Sequence, residues 1–304
     1  MLVAGIDIGS NAVRLTVAKA PKKGDFHKPE DFITKYRFPC RLGDDVFKTG
    51  SIGLEKIERL NAIFSEIELL IEQHEIKKTY GVATSAFRDA DNGSKVMNDL
   101  TTKHPKISCK VISGHEEASL MSEGLLKRDT FVDSHSHLHA DIGGGSLELS
   151  YFHEKSFIFQ ESLDLGTLRL IEGTQCGSLV KDHLKKLSAI DELLKKHLGN
   201  KSLQNIKFHG TGGNFKRLGT LRRHSFNETN DNFLQASDIS KMIEEYSKFQ
   251  GEELSNHTPI KKDNAALIIP SLLIIDRILN FWPSKRIEIS ELSLSHVLID
   301  KLTG

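Results

Sequence analysis

Short apolar runs interrupted by glycine open the chain. Leu2, Val3 and Ala4 lead into Gly5-Ile6-Asp7-Ile8-Gly9-Ser10-Asn11, and a β-prone run at 13–17 follows. The same order returns far downstream. There Leu138-His139-Ala140 leads into Asp141-Ile142-Gly143-Gly144-Gly145-Ser146, followed by a β-prone run at 147–151. Strand, tight turn, strand is therefore predicted twice, with backbone N–H groups turned into a concavity suited to phosphate oxygens. Elsewhere the period lengthens. Leu54, Ile57, Leu60, Ile63, Phe64, Ile67, Leu70 and Ile71 recur at helical spacing and predict a helix over 54–73.

In the first half the pattern predicts strands near 2–9, 12–19, 31–38, 79–83 and 107–112. Helices are expected over 94–104 and 116–127, with a hairpin loop at 21–30. In the second half strands are predicted near 138–142, 147–152, 156–162, 206–209 and 286–289. Helices are expected over 179–197, from about 214, and over 237–249, 264–281 and 292–302. The polar, aperiodic stretch 128–137 separates the halves. The expected domains are 1–124 and 125–304, with the final helix at about 292–302 packing back on the first. Strands followed by alternating helices and strands indicate α/β domains with mixed sheets.

At 304 residues there is room for two cores. Formal net charge is zero, so no bulk field recruits a nucleic acid polymer or an anionic membrane, and local arginines and amides must hold any polyanion. No run of about twenty apolar residues is present, nor a basic segment leading an apolar one at the amino terminus. The most apolar stretch, 265–279, contains Pro270 and Asp276 and reads as a buried helix. Cys40, Cys109 and Cys176 are odd in number and lack metal-type spacing, so they read as small core or loop residues in a reducing cytoplasm.

Several residues carry chemistry. Asp7 and Asp141, each beside a glycine turn, could hold a hydrated Mg²⁺ against phosphate; each could equally cap its turn. Ser10, Asn11 and Ser146 are short donors beside the glycines or ordinary turn residues. Arg14 fits a phosphate fork or an exposed strand position. Glu148 shares a strand face with Ser146 and could join Asp141 near a metal, or be solvated. Ser85 and Arg88 lie in a segment after a strand that suits the edge of an anion site.

Glu116 and Glu117 follow Ser113-Gly114 in the first turn of a helix. Such a carboxylate could orient and deprotonate water for phosphoanhydride hydrolysis, or belong to a plain capping pattern. Gly210, Thr211, Gly212 and Gly213 precede a helix and offer amides to an anion, although they complete neither a Walker loop nor GxGxxG. Lys216 and Arg217 add local positive charge or form a solvated face. A zinc site at His135, His137 and His139 is set aside, and these histidines read as linker and strand-entry residues.

The order of these motifs resembles the Ppx/GppA phosphatases. It runs Asp7-Ile8-Gly9-Ser10-Asn11 with Arg14-Leu15, the segment from Ala83 to Arg88, Ile112-Ser113-Gly114-His115-Glu116-Glu117-Ala118, the stretch from Asp141 to Leu149, and Gly210-Thr211-Gly212-Gly213. The resemblance implies two ribonuclease H-like domains of the actin, sugar-kinase and heat-shock ATPase superfamily, with an interdomain cleft and Mg²⁺-dependent release of terminal phosphate. It assigns Glu117 as general base, Arg88 to the substrate side, Asp141 and Glu148 to the metal, and the glycine turns to phosphate. Inorganic polyphosphate of short to medium length is the first expected substrate, guanosine pentaphosphate the second. A non-catalytic alarmone or polyphosphate sensor and an ATP-dependent kinase are the rival readings, and a homodimer is one assembly open to the chain. Two departures stand out. Longer members carry extra C-terminal helical domains, including an HD-type one, and where relatives show Gly-Leu-Arg-Glu-Gly this chain has Glu291-Leu292-Ser293-Leu294-Ser295-His296.

Overall fold

The computed structural model describes residues 1–20, 31–126, 136–153, 156–171, 179–198, 206–249, 251–281 and 286–303. The expected loop at 21–30, most of the polar boundary, His135 and Cys176 lie outside the described residues. The chain forms two compact units: Met1–Lys127 with Leu292–Gly304, and Arg128–Glu291. Among the described residues, no helix is long and apolar enough to cross a membrane.

In the first unit β1 (Leu2–Ile8), β2 (Ala12–Lys19) and β3 (Phe32–Pro39) form an antiparallel meander. Helices α1 (Leu42–Thr49) and α2 (Leu54–Gln73) lead to β4 (Lys78–Ala83). Then come α3 (Ser85–Asp89), α4 (Gly93–Lys103), β5 (Cys109–Val111) and α5 (Gly114–Leu126). The sheet order is β3-β2-β1-β4-β5, with β4 and β5 parallel to β1 and to each other. Central β1 is buried from Val3 to Ile8 and apolar but for Asp7 near its end, whereas edge strand β3 alternates. On one face α2 buries Leu60, Ile63, Phe64, Ile67 and Ile71.

The last helix of the chain, Leu294–Thr303, covers the other face and sets Ile299 against Val3 and Ala18. The approach is close. A Cβ on Gly5 would lie 2.2 Å from the Ser295 carbonyl oxygen, and the Thr16 and Ser295 hydroxyls are 2.8 Å apart. The altered stretch 291–296 thus has a structural task here, with Leu292, Leu294, Ser295 and His296 all buried.

The second unit repeats the plan. Strands β6 (Ser136–Ile142), β7 (Leu147–His153) and β8 (Ser156–Leu163) form its meander, and α6 (Thr167–Ile171) and α7 (Leu179–Leu198) follow. Next are β9 (Ile206–Thr211), α8 (Gly212–Ser225), β10 (Phe233–Gln235), α9 (Ala236–Tyr246), a 3-10 turn at Gly251–Asn256, α10 (Lys262–Ala265), α11 (Ile268–Phe281) and β11 (Arg286–Ile289). The order β8-β7-β6-β9-β11 matches that of the first sheet, and β10 adds an antiparallel edge. Each unit therefore has the ribonuclease H-like arrangement of a mixed α/β sheet.

Some elements differ from expectation. The predicted helix over 264–281 is broken after Ala265, and Pro270 falls in the first turn of α11, where its missing N–H has no intrahelical partner to lose. Residues 85–89 form a helical turn rather than a loop, and the strand expected over 107–112 shortens to Cys109–Val111. His137 and His139 are corrected from linker and strand entry to the buried interior of β6. The sheet explains them. Leu138, Ala140 and Ile142 point into the apolar core with Leu147, Leu149 and Phe208, and strand alternation puts His137, His139 and Asp141 on the opposite, polar face. There they meet Glu148 and Ser150 of β7 and His209 and Thr211 of β9.

Candidate functional site

Each unit carries one glycine turn, and the two are braced alike. In the first, the Gly9 amide donates to the Ala12 carbonyl at 3.2 Å and closes the hairpin. The Ser10 carbonyl accepts from the Gly43 amide at 3.0 Å, and the Asn11 carbonyl from the amides of Cys40 and Arg41 at 3.3 and 3.0 Å. Carbonyl and N–H of a planar trans peptide point in opposite directions. Drawing the Ser10 carbonyl back toward 40–43 therefore turns the Asn11 amide to the other side.

In the second turn the Gly143 amide donates to Ser146 at 2.9 Å. The Gly143 carbonyl accepts from the Thr167 amide (3.1 Å) and hydroxyl (3.3 Å). The Gly144 carbonyl accepts from the amides of Leu168 (2.8 Å) and Arg169 (3.3 Å), and the Gly145 carbonyl from Arg169 Nε at 2.8 Å. By the same planarity the amides of Gly144, Gly145 and Ser146 all point away from α6. Three successive donors on one side make an anion-binding nest. A Cβ on Gly166 would lie 2.3 Å from the Gly144 carbonyl, so the brace can close only over glycine.

Sequence reasoning passed over Gly166, Thr167 and Arg169. The signal was present: a Leu-Gly step follows the third strand in both halves, as Leu42-Gly43 and Leu165-Gly166. The repeat extends beyond the hairpins to the segments that hold them.

In the first unit Ser10 Oγ lies 2.8 Å from Ser85 Oγ, joining the turn to α3. From α3, Arg88 donates through Nη1 to the Ile112 carbonyl and to Glu117 Oε2, each at 3.3 Å. The two glutamates opening α5 part company. Exposed Glu116 pairs with Lys110 at 2.7 Å, whereas Glu117, largely shielded, sits against Arg88. Asp7 and Arg14, expected at metal and phosphate respectively, instead hold each other at 2.9 Å. A guanidinium on its Oδ2 disfavours a cation beside Asp7.

In the second unit Asp141 and Glu148 are direct cross-strand partners and so share one face. Glu148 is buried and accepts from Ser162 Oγ at 3.0 Å. Thr211 Oγ1 donates to Asp141 Oδ2 at 2.8 Å. Gly212 adopts a φ of 85°, and a Cβ there would meet Asp141 Oδ1 at 2.4 Å. Asn214 Nδ2 donates to the Ile142 carbonyl at 2.6 Å, and Gly210 makes room for the Phe215 ring. Thr211 and Gly212, expected at phosphate, are thus placed against Asp141, while Gly210 packs on the Phe215 ring and Gly213 lies in the first turn of α8. Lys216 pairs with Glu291 at 2.7 Å, and Arg217 donates to Asn214 Oδ1 at 2.6 Å.

Behind Thr211 lies His139, whose Nε2 is 2.9 Å from Thr211 Oγ1. Burial, with a smaller contribution from His209, pushes the imidazole down to about 3. His137 Nδ1 is engaged with His209 Nε2 at 3.0 Å. Among the described residues, no group of three or more histidine, cysteine, aspartate or glutamate side chains could hold a metal. A cation here must rely on Asp141 and Glu148 with water and substrate oxygens. That donor set fits Mg²⁺, which prefers one or two carboxylates to an all-protein cage.

The sequence model of the Ppx/GppA phosphatase family matches residues 22–303. The chain belongs to this family. It is 27% identical to a bifunctional 3-dehydroquinate synthase/phosphatase of Fusobacterium nucleatum, over 95% of this chain and 45% of that protein. It is 30% identical to Exopolyphosphatase 2 of Mycobacterium tuberculosis, over 64% of this chain and 61% of the relative. The chain thus spans roughly half the length of these curated relatives. An exopolyphosphatase structure from Cytophaga hutchinsonii, 19% identical, superimposes with a TM-score of 0.85 over 100% of this chain and 98% of its own. A Ppx/GppA family member from Aquifex aeolicus, 24% identical, gives 0.74 over 99% and 97%. Both show the fold of this family member.

Proposed function

We propose that this Ppx/GppA member hydrolyses the terminal phosphoanhydride of inorganic polyphosphate, with Mg²⁺ held by Asp141 and Glu148. The observation that carries the reading is the braced second turn. It presents three main-chain donors beside two carboxylates, and a polyphosphate end with its metal needs both. Bound Mg²⁺ would neutralise phosphate charge and ease departure of the shortened chain.

Glu117 takes a proton from water as the water oxygen bonds to the terminal phosphorus and the bridging P–O bond breaks. Arg88 fixes the Glu117 carboxylate through the 3.3 Å contact. The amides of Gly144, Gly145 and Ser146 grip non-bridging oxygens. The name of the mycobacterial relative supports polyphosphate as the substrate.

Phosphate release from polyphosphates of graded length and from guanosine pentaphosphate, with Mg²⁺ and with EDTA, tests the reading. Release from short and medium polyphosphate that EDTA abolishes and Mg²⁺ restores is expected, and Glu117→Ala should lower it by about 10²–10⁴-fold. Faster release from the pentaphosphate would move the substrate assignment. Tight polyphosphate binding without turnover would replace the hydrolase with a sensor.

A further inference from the structure

The contact chain behind Asp141 has its proton order fixed by geometry. Thr211 has one hydroxyl proton and donates it to Asp141 Oδ2 at 2.8 Å. Toward His139, 2.9 Å away, the same oxygen can then only accept. His139 must therefore carry its proton on Nε2, and Nδ1 must be a bare lone pair. The second nitrogen agrees: Nδ1 is buried without a hydrogen-bond partner, in a side chain with no exposed surface. A proton on Nδ1 would have no acceptor there. The order runs one way, from imidazole N–H to hydroxyl to carboxylate.

Gly212 completes the clamp from the other side, because a side chain at its φ of 85° would strike Asp141 Oδ1. Register reinforces it. Asp141 lies opposite Thr211 on β9 and opposite Glu148 on β7, and His139 lies two residues back on the same face. The hydrogen-bonded pair can shift little without moving two strands.

We infer that Thr211 and His139 are positioning residues that hold the Asp141 carboxylate for a divalent cation. The inference rests on the proposed role of Asp141 and deepens it. The hydroxyl occupies one lone pair of Oδ2 and so fixes the plane of the carboxylate in one orientation. Outer-shell partners of this kind change metal affinity by about 10–100-fold when removed.

Two measurements test it. Long-range ¹H–¹⁵N spectra of the wild-type protein should show His139 as the neutral Nε2–H tautomer, and a ring protonated on Nδ1 overturns the proton order. Mn²⁺ binding, read by electron paramagnetic resonance, should weaken by about 10–100-fold in Thr211→Val and by less in His139→Gln. Thr211→Ser, which keeps the hydroxyl, should bind near the wild-type level and shows that lost affinity is not lost folding. Thr211→Val binding like wild type while Asp141→Asn weakens Mn²⁺ overturns the positioning role and leaves the metal assignment standing. Asp141→Asn binding like wild type overturns both.

Discussion

Gly166 offers the sharpest test of how the second turn is held. A Cβ at this position would lie 2.3 Å from the Gly144 carbonyl carbon and oxygen and 2.4 Å from the Gly145 nitrogen. Carbon contacts relax at about 3.5–4.0 Å, so Gly166→Ala must drive the turn back by about 1 Å or more. The atoms met are backbone and cannot swing aside. Overpacking of this kind costs about 1–3 kcal/mol, which lowers Tm by about 2–4 °C per kcal/mol in a protein of this size. The larger effect falls on rate. Amides moved by about 1 Å from a reacting phosphate can lose about 10²-fold. Gly166→Ala should therefore melt about 2–12 °C early while releasing phosphate about 100-fold more slowly. Gly5→Ala is the control, because its Cβ would crowd the Ser295 carbonyl at 2.2 Å in mid-strand, away from either turn. It should lose comparable stability without the same rate penalty. Steady-state phosphate release and scanning calorimetry on both variants decide the matter. Near-wild-type turnover in Gly166→Ala, or an equal rate loss in Gly5→Ala, would refute the bracing argument.

Further predictions concern other parts of the chain. Glu117→Gln should lower turnover by about 10²–10⁴-fold with little change in melting, while Glu116→Gln, which loses only the exposed Lys110 pair, should leave turnover unchanged. Arg222 is buried and bonded to Asp238 at 2.6 Å, so Arg222→Met strands a buried carboxylate and should cost about 3–5 kcal/mol in denaturant unfolding. Burial pushes the Cys40 thiol up to about 11 and the Cys109 thiol to about 12. Native protein should therefore alkylate slowly at these positions at pH 8, as peptide mapping after iodoacetamide would show. Stability from these thiols is intact below about pH 9. Above it the unfolded chain sheds protons that the folded chain keeps, and each thiol then removes about 1.4 kcal/mol per pH unit until its own folded value is reached. Replacing both cysteines by alanine should flatten that alkaline decline.

The glycine hairpins, the long helix α2 and the apolar central strands were legible because each writes a short-range period. Glycine marks a turn, and Leu60, Ile63, Phe64 and Ile67 mark a helix face. Glu117 could be singled out from Glu116 in sequence only through the family resemblance, and the structure separates them by partner. Arg88 was expected at the substrate, but its contact with Glu117 depends on β4 and β5 lying side by side. The bracing role of Thr211 and Gly212 was hidden for the same reason, because it exists only once β9 pairs with β6. His137 and His139 misled because alternating histidines in a polar stretch look solvent-facing. A sheet with one polar buried face makes that same alternation an interior one. The break before α11 follows from Pro270, which the pattern of apolar residues alone could not place in a first turn.

The helix Leu294–Thr303, laid over β1 and β2, has a consequence for how the protein is made. Thr16 and Ser295, hydrogen-bonded to each other, are 279 residues apart. Synthesis proceeds at about 5–20 residues per second, so Thr16 leaves the ribosome tens of seconds before Ser295 does. Throughout that interval Val3 and Ala18 lack their cover, and the earliest strands emerge with an unfinished apolar flank. The flank of β1 and β2 that Ile299 covers is thus closed by residues made long after the strands themselves.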